Sequence, residues 1–231
     1  MIPRLPAAFA VAATLALACL AGCDRAPQPT PPAAAPSPAP TPEPTPPPAP
    51  TARADYGPLH AVFEVPWGSF RVKLATKECP RVCASFVNLV ERGFYDDQLW
   101  GDFSPVVRQT GETSGRFDPG YSIPREFSPR LLFDRGGLLC ASNTTDDATA
   151  RVRPGRIFVT VKAQERWNLV YCVFGEVVEG MDVVNRLTDG ERLVRVRVEG
   201  DTAPMRAAYA AELKDWNAKL DAMLPRRGAA K

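Results

Sequence analysis

Proline sets the first limit on this chain. Between Ala26 and Ala54 the sequence is nearly all Pro, Ala, Thr and Ser, and about half of the 25 prolines lie there. Proline has no amide donor and a fixed φ, so this stretch can build neither helix nor sheet. An extended polyproline II spacer is expected, reaching on the order of 75 Å at about 3.1 Å per residue. Its plain reading is a passive tether, and a docking segment for a proline-binding module is the alternative. Any packed core must come from the residues after it, about 56–231, which suit one domain with an extension. The formal net charge is only +2, and no basic run is interleaved with aromatics, so nucleic acid is not an expected partner.

The N-terminus reads differently. Arg4 precedes an apolar run from Ala7 to about Ala21, followed by small residues. This is the pattern of a signal peptide, and it is shorter than the roughly 20 apolar residues a membrane span needs. Leu20-Ala21-Gly22-Cys23 resembles the lipobox of bacterial lipoproteins. That resemblance implies cleavage before Cys23, lipid on its thiol, and a chain anchored in the cell envelope facing the periplasm. Asp24, in the next position, resembles the inner-membrane retention signal of enteric bacteria. Cys19 would leave with the signal, while Cys79, Cys83, Cys140 and Cys172 remain. Four cysteines allow three full pairings. Cys79 and Cys83 stand one helical turn apart and could be bridged, and small buried thiols are the other reading. There is no CxxC and the one histidine, His60, is remote in sequence, so neither a metal nor a cofactor is expected. His60 reads as a solvent-facing residue before the first strand.

Periodicity sketches the folded part. Ala61–Val65 and Phe70–Leu74 flank the turn Pro66-Trp67-Gly68-Ser69, which predicts a β-hairpin with one buried face. Pro80–Arg92 has apolar residues at helical spacing (Val82, Phe86, Leu89, Val90), with proline in its first turn and Gly93 beyond its end. Short strands are expected at Leu99–Phe103, Val106–Thr110, Leu138–Ala141, Arg156–Val161, Tyr171–Val178 and Leu193–Val198. A long loop should run to about Arg135, and a short helix from Gly180 to Leu187. Mostly short strands with two helices predict a mainly β fold, a closed barrel capped by two helices. After it, Asp201-Thr202 and Pro204 open a C-terminal helix. Met205, Tyr209, Leu213, Trp216, Leu220 and Met223 lie along its one apolar face, and Pro225 ends it. That face is expected to dock on the domain's own surface or to meet a partner. The expected organisation is a signal peptide at 1–22, a lipidated cysteine and tether at 23–55, one domain at 56–200, and the helix and tail at 201–231.

Several blocks, in order, resemble the cyclophilins, the proline-isomerase family. They are Thr76–Val90, Gly93-Phe94-Tyr95-Asp96, Gly120–Phe127 with Phe133–Leu138, and Val173–Val184. Together they cover about Ala61 to Val198. The resemblance implies the barrel fold and rotation about Xaa-Pro amides in proline-containing peptides or unfolded proteins. The uncatalysed barrier is about 18–20 kcal/mol. Lowering it takes an apolar pocket for the proline ring and a donor aimed at the amide, with no nucleophile or metal. In the family an arginine on the third strand is that donor. Here, counting back from Pro105, Asp102 stands in its place, and an ionised carboxylate cannot donate. Gln109 matches the supporting glutamine, and Asn143 falls near the asparagine that binds substrate backbone. Phe158 and Trp167 match pocket aromatics, Tyr171 stands near a pocket histidine, and Val106 or Val107 replaces a large aromatic. Arg156 replaces a glutamine on the strand facing Asp102. Two readings stand: a charge swap in which Arg156 pairs with Asp102 and supplies the donor, or a structural ion pair in a dead site. Arg108 is a second candidate donor, expected to point the other way along its strand. The corresponding functions are a folding isomerase of the envelope and a noncatalytic proline-peptide binder.

Overall fold

The structure, a computed structural model, describes residues 56–111 and 118–223, with the backbone alone at 102 and 103. The signal-peptide, lipidation and tether readings lie outside these residues, as does Pro225. Nine strands form one antiparallel sheet: β1 (His60–Val65), β2 (Gly68–Leu74), β3 (Gln98–Ser104), β4 (Val107–Thr110), β5 (Leu138–Asn143), β6 (Val152–Thr160), β7 (Cys172–Glu179), β8 (Arg192–Leu193) and β9 (Arg195–Glu199). Their order is β8-β3-β4-β6-β5-β7-β2-β1-β9. The two ends of that order are neighbours in the chain. β8 pairs with β3 and β9 pairs with β1, while Val194 between them donates its amide to Glu64. One run of eight residues, 192–199, therefore seals the barrel. The expected mainly β barrel with two helices is what forms.

The barrel interior is filled by rings. Phe63 stacks on Phe70 at 4.7 Å, and Phe86 from helix α1 (Pro80–Glu91) meets Phe174 at 5.3 Å. All four rings are buried. Helix α1 begins with Pro80 and has no side-chain cap of its own at Cys79. Its orphan amides find Glu126 instead: the carboxylate accepts from Arg81 N at 3.3 Å and Val82 N at 2.9 Å. Burial pushes the Glu126 carboxyl up, and these two amides work against the shift. Helix α2 (Met181–Arg186) starts at Gly180, whose φ of 80° and close approach to Ser69 O (2.6 Å from where a Cβ would stand) admit only glycine.

The structure corrects several boundaries. The hairpin turn is only Pro66-Trp67, because Val65 already pairs with Gly68. His60 opens β1, opposite Lys73 and Glu199, and is partly buried. β6 starts four residues before Arg156, at Val152, and runs through Pro154 and Gly155. The ladder survives these two breakers by bulging: Ala141 pairs with Ile157, but the next residue, Ser142, pairs with Arg153. The C-terminal segment is two helices, α3 (Ala203–Ala208) and α4 (Ala210–Asp221), broken at Tyr209. Asp201-Thr202 opens α3 as expected: Thr202 holds the N-cap position without a side-chain cap bond, its hydroxyl donating to Glu91, and Asp201 accepts from Ala203 N. The segment docks on its own domain. Met205, Tyr209, Trp216 and Leu220 are buried, Trp216 stacks on Tyr121 at 5.3 Å, and Arg92 pairs with Asp221 at 2.7 Å. Leu213 is partly buried, whereas Met223 is exposed.

The four cysteines are free, buried thiols, with no bridge between Cys79 and Cys83. Both sulfurs turn from the helix toward β7, where Cys79 donates to Val173 O at 3.2 Å and Cys83 to Phe174 O at 3.6 Å. Burial raises all four thiols, Cys172 to about 12.

Candidate active site

Strand alternation sends Ile157 and Val159 of β6 into the barrel core and leaves Phe158 on the outside. There Phe158 joins a second, smaller apolar cluster with Phe133, Leu138, Cys140 and Val173. Val107, Leu131, Trp167 and Tyr171 pack against it while partly open to solvent. Three rings form the wall. Phe158 meets Trp167 at 5.9 Å and 80°, and Tyr171 at 5.5 Å and 89°; Trp167 meets Tyr171 at 5.5 Å and 72°. Edge-to-face pairs of this kind suit the ring quadrupoles. Phe133 adds a fourth ring, edge-on to Trp167 at 5.8 Å.

Local hydrogen bonds hold the loop that carries Trp167. A single 3-10 turn, Glu165–Trp167, ends on the tryptophan. Phe133 grips both sides of that turn: its carbonyl accepts from Gln164 N at 2.7 Å, and its amide donates to Asn168 Oδ1 at 2.8 Å. Next comes a type II turn over Trp167–Val170, closed by Val170 N to Trp167 O at 3.0 Å. Asn168 has φ −55° and ψ 132°, and Leu169 has φ 60°. The Leu169 position is one that favours glycine, and a leucine there costs about 1–2 kcal/mol. The Val170 carbonyl is braced by Asn143 Nδ2 at 3.0 Å and Arg125 Nη1 at 3.4 Å.

The residues singled out in the sequence fall into three groups. Val107, Phe158, Trp167 and Tyr171 come together in the cluster just described. Gln109 stands directly across from Phe158 on β4, so it lies on the same face, and its Oε1 accepts from Ser142 Oγ at 3.4 Å. Arg156 is two positions before Phe158 in β6, at the edge of the bulge, and partly exposed. Asn143 is at the rim, where its amide is engaged with the chain's own Val170. Arg108 lies opposite Val159, on the other face, and donates to Ser104 O at 3.0 Å and Val107 O at 3.1 Å. Asp102 belongs to β3, but its side chain, and with it the proposed pairing to Arg156, lies outside the described residues. Burial also pushes the Tyr171 hydroxyl up, so it is neutral at physiological pH.

Sequence reasoning missed the floor of the pocket: Phe133, Leu138, Cys140 and Val173. The one available signal was parity, since Cys140 pairs directly with Phe158. It also missed Glu126 as the cap of α1, a contact made across 44 positions of the chain. Chemically, the site offers an apolar, ring-lined recess with a carboxamide on the same sheet face and a guanidinium two residues along β6.

Comparison with known proteins bears on this arrangement. A family model described as "Cyclophilin type peptidyl-prolyl cis-trans isomerase/CLD" matches residues 60–208. Peptidyl-prolyl cis-trans isomerase-like 1 of Aspergillus niger is 27% identical over 157 residues, covering 61% of this chain and 94% of that protein. Peptidyl-prolyl cis-trans isomerase CYP18-2 of Arabidopsis thaliana is 30% identical over 146 residues, covering 59% and 85%. Among solved structures, a Cryptosporidium parvum cyclophilin type peptidyl-prolyl cis-trans isomerase superposes with a TM-score of 0.55 at 20% identity, covering 63% of this chain and 99% of its own. A second structure under that name, determined in the presence of the dipeptide Ala-Pro, gives a TM-score of 0.54 at 18% identity. These two speak to the fold; with the family model and the curated relatives added, the chain belongs to the cyclophilin-type peptidyl-prolyl cis-trans isomerase family.

Proposed function

We propose that this protein is a slow peptidyl-prolyl isomerase of the cell envelope, lipid-anchored through Cys23 and acting on proline-containing segments of unfolded proteins on the periplasmic side. The observation that carries the reading is the outer pocket of Phe158, Trp167 and Tyr171, with Gln109 directly across from Phe158 and Arg156 two residues before it in β6. A proline ring seated against these rings leaves water, and its amide then lies beside the polar rim. The Ala-Pro dipeptide used with the Cryptosporidium relative supports the same class of ligand here. Rotation is eased by a donor that binds the twisted amide better than the planar one. Arg156 presents several donors in one plane, which suits that task in place of the family arginine. The Asp102 substitution at the family's arginine position is why the rate is expected to be slow.

Isomerisation of Ala-Xaa-Pro peptides by a soluble form beginning near Asp55 tests this. The expected result is acceleration over buffer that is lost in Arg156→Ala, since one lost transition-state donor costs about 100-fold or more, with an unchanged melting temperature. An unchanged rate in that variant sinks Arg156 as the donor. A wild-type rate equal to buffer, with peptide still bound, selects the second reading, a noncatalytic proline-peptide binder; Asp102 at the donor position is the observation that favours it. For the anchor, Cys23→Ser should release the chain from membranes on fractionation, and continued membrane association would reject lipidation there.

A further inference from the structure

Two loops meet at one side chain, Arg125. The first, residues 144–151, joins β5 to β6 and is closed on itself. Thr144 N donates to Arg151 O at 2.9 Å, and Asp147 Oδ1 accepts from Thr149 N at 2.8 Å. Arg151 Nε in turn donates to Ser122 Oγ at 2.8 Å, so this loop is fastened at its base. The second loop carries Trp167 and Tyr171, two rings of the aromatic pocket. Arg125 Nη2 donates to Ala148 O of the first loop at 3.0 Å, and Nη1 to Val170 O of the second at 3.4 Å. We propose that Arg125 is a positioning residue for proline binding: it moors the loop of Trp167 and Tyr171 to the 144–151 loop, and so holds both rings against Phe158. The inference rests on the proline-peptide reading above.

The second loop needs a mooring because its turn is strained. Leu169 is the third residue of that turn and has φ 60°, a position that favours glycine. Such a backbone persists only where its surroundings fix it. Trp167 lies two positions before Leu169 and Tyr171 two positions after it, so relaxation of the turn moves both rings. The next carbonyl after the strained residue, Val170 O, is the one that Arg125 holds. Asn143 Nδ2 reaches the same oxygen at 3.0 Å, which makes the loss of Arg125 a partial release. Arginine fits the task because its terminal nitrogens share one rigid plane and reach two carbonyls on different loops, whereas a lysine offers a single nitrogen. The Phe127 ring, 5.5 Å from the guanidinium, sets that plane. Both terminal nitrogens are thus turned to the chain's own carbonyls. Arg125 therefore acts through the rings and not on the substrate amide.

It should govern how tightly proline peptides bind, not how fast a bound amide turns. In Arg125→Met the dissociation constant of Ala-Ala-Pro-Ala, read by NMR titration, should rise about tenfold, the scale of one charge-assisted hydrogen bond. The isomerisation rate at saturating peptide should stay within about twofold of wild type. Arg125→Lys should fall between the two proteins. Adding Leu169→Gly to Arg125→Met should bring the dissociation constant back to within about threefold of wild type, because glycine holds this turn unaided. An unchanged dissociation constant in Arg125→Met, whatever its melting temperature, overturns the proposal. So does a tenfold loss that Leu169→Gly fails to recover, since the arginine would then act through general stability and not through the turn. If Arg125→Met does not fold, Arg125→Lys decides: weaker binding that Leu169→Gly recovers supports the mooring, and binding as tight as wild type overturns it. A wild type that binds no proline peptide overturns the proposed function itself, a separate outcome.

Discussion

The two faces of β6 use the same kinds of residue to opposite ends. On the inner face, Ile157 and Val159 belong to a core whose rings (Phe63, Phe70, Phe86, Phe174) are each at most 2% exposed. On the outer face, Phe158 is also buried, but its partners Trp167 and Tyr171 are partly open. A sealed ring satisfies its contacts within the fold. A ring left half open keeps contact area for something else. One residue of alternation along a strand thus separates packing that stabilises from packing that recognises.

Substitution on each face sharpens that contrast. The largest expected effect is on stability: Phe174→Ala should cost about 3–5 kcal/mol, measured by urea denaturation. Its folded fraction should still bind proline peptides. Trp167→Ala comes next. Because the ring is partly exposed, the stability cost should be about 1–2 kcal/mol, while peptide affinity falls at least about tenfold. A Trp167 variant as unstable as the Phe174 variant, or one that binds peptide normally, would erase the distinction between the faces.

The smallest effect concerns Glu126, which joins the outer loop to α1. Burial raises its carboxyl, so the folded protein holds that proton more tightly than the unfolded chain does. The contribution to stability is full below the unfolded value, about 4.3, and is lost as pH rises through the raised folded value. Glu126→Gln removes the charge and keeps an acceptor for α1. Its stability relative to wild type should therefore improve between about pH 4 and about pH 7. Chemical denaturation at both pH values reads this directly, and a relative loss over that interval would mean that the charge is worth more to the helix amides than its burial costs.

Legibility in the sequence followed the range of the signal. The β1–β2 hairpin and α1 announce themselves by local period, and both appear within a residue or two. The start of β6 was hidden because Pro154 and Gly155 look like breakers, and only the partner strand shows that the ladder bulges past them. The break at Tyr209 was hidden for the opposite reason: spacings of three and four continue across it, so the apolar face looks unbroken. In the site, Phe158, Trp167 and Tyr171 were found through family resemblance, not periodicity. Leu138, Cys140 and Val173 were not, since an outward-facing apolar residue in a barrel strand looks the same on paper as an inward one. The capping role of Glu126 and the bracing by Arg125 depend on contacts across 44 and 45 positions, which leave no periodic trace.

The seal at residues 192–199 has a consequence for how the chain reaches this state. β1, near the start of the domain, gains its second neighbour only when β9 arrives, and β3 waits in the same way for β8. Contacts of such sequence separation slow folding. A chain emerging from N- to C-terminus therefore carries two open strand edges until nearly all of the barrel has been made, and open edges invite pairing with other chains. The last eight residues of the barrel act as a latch in time, setting when the nascent protein stops being a hazard to its neighbours.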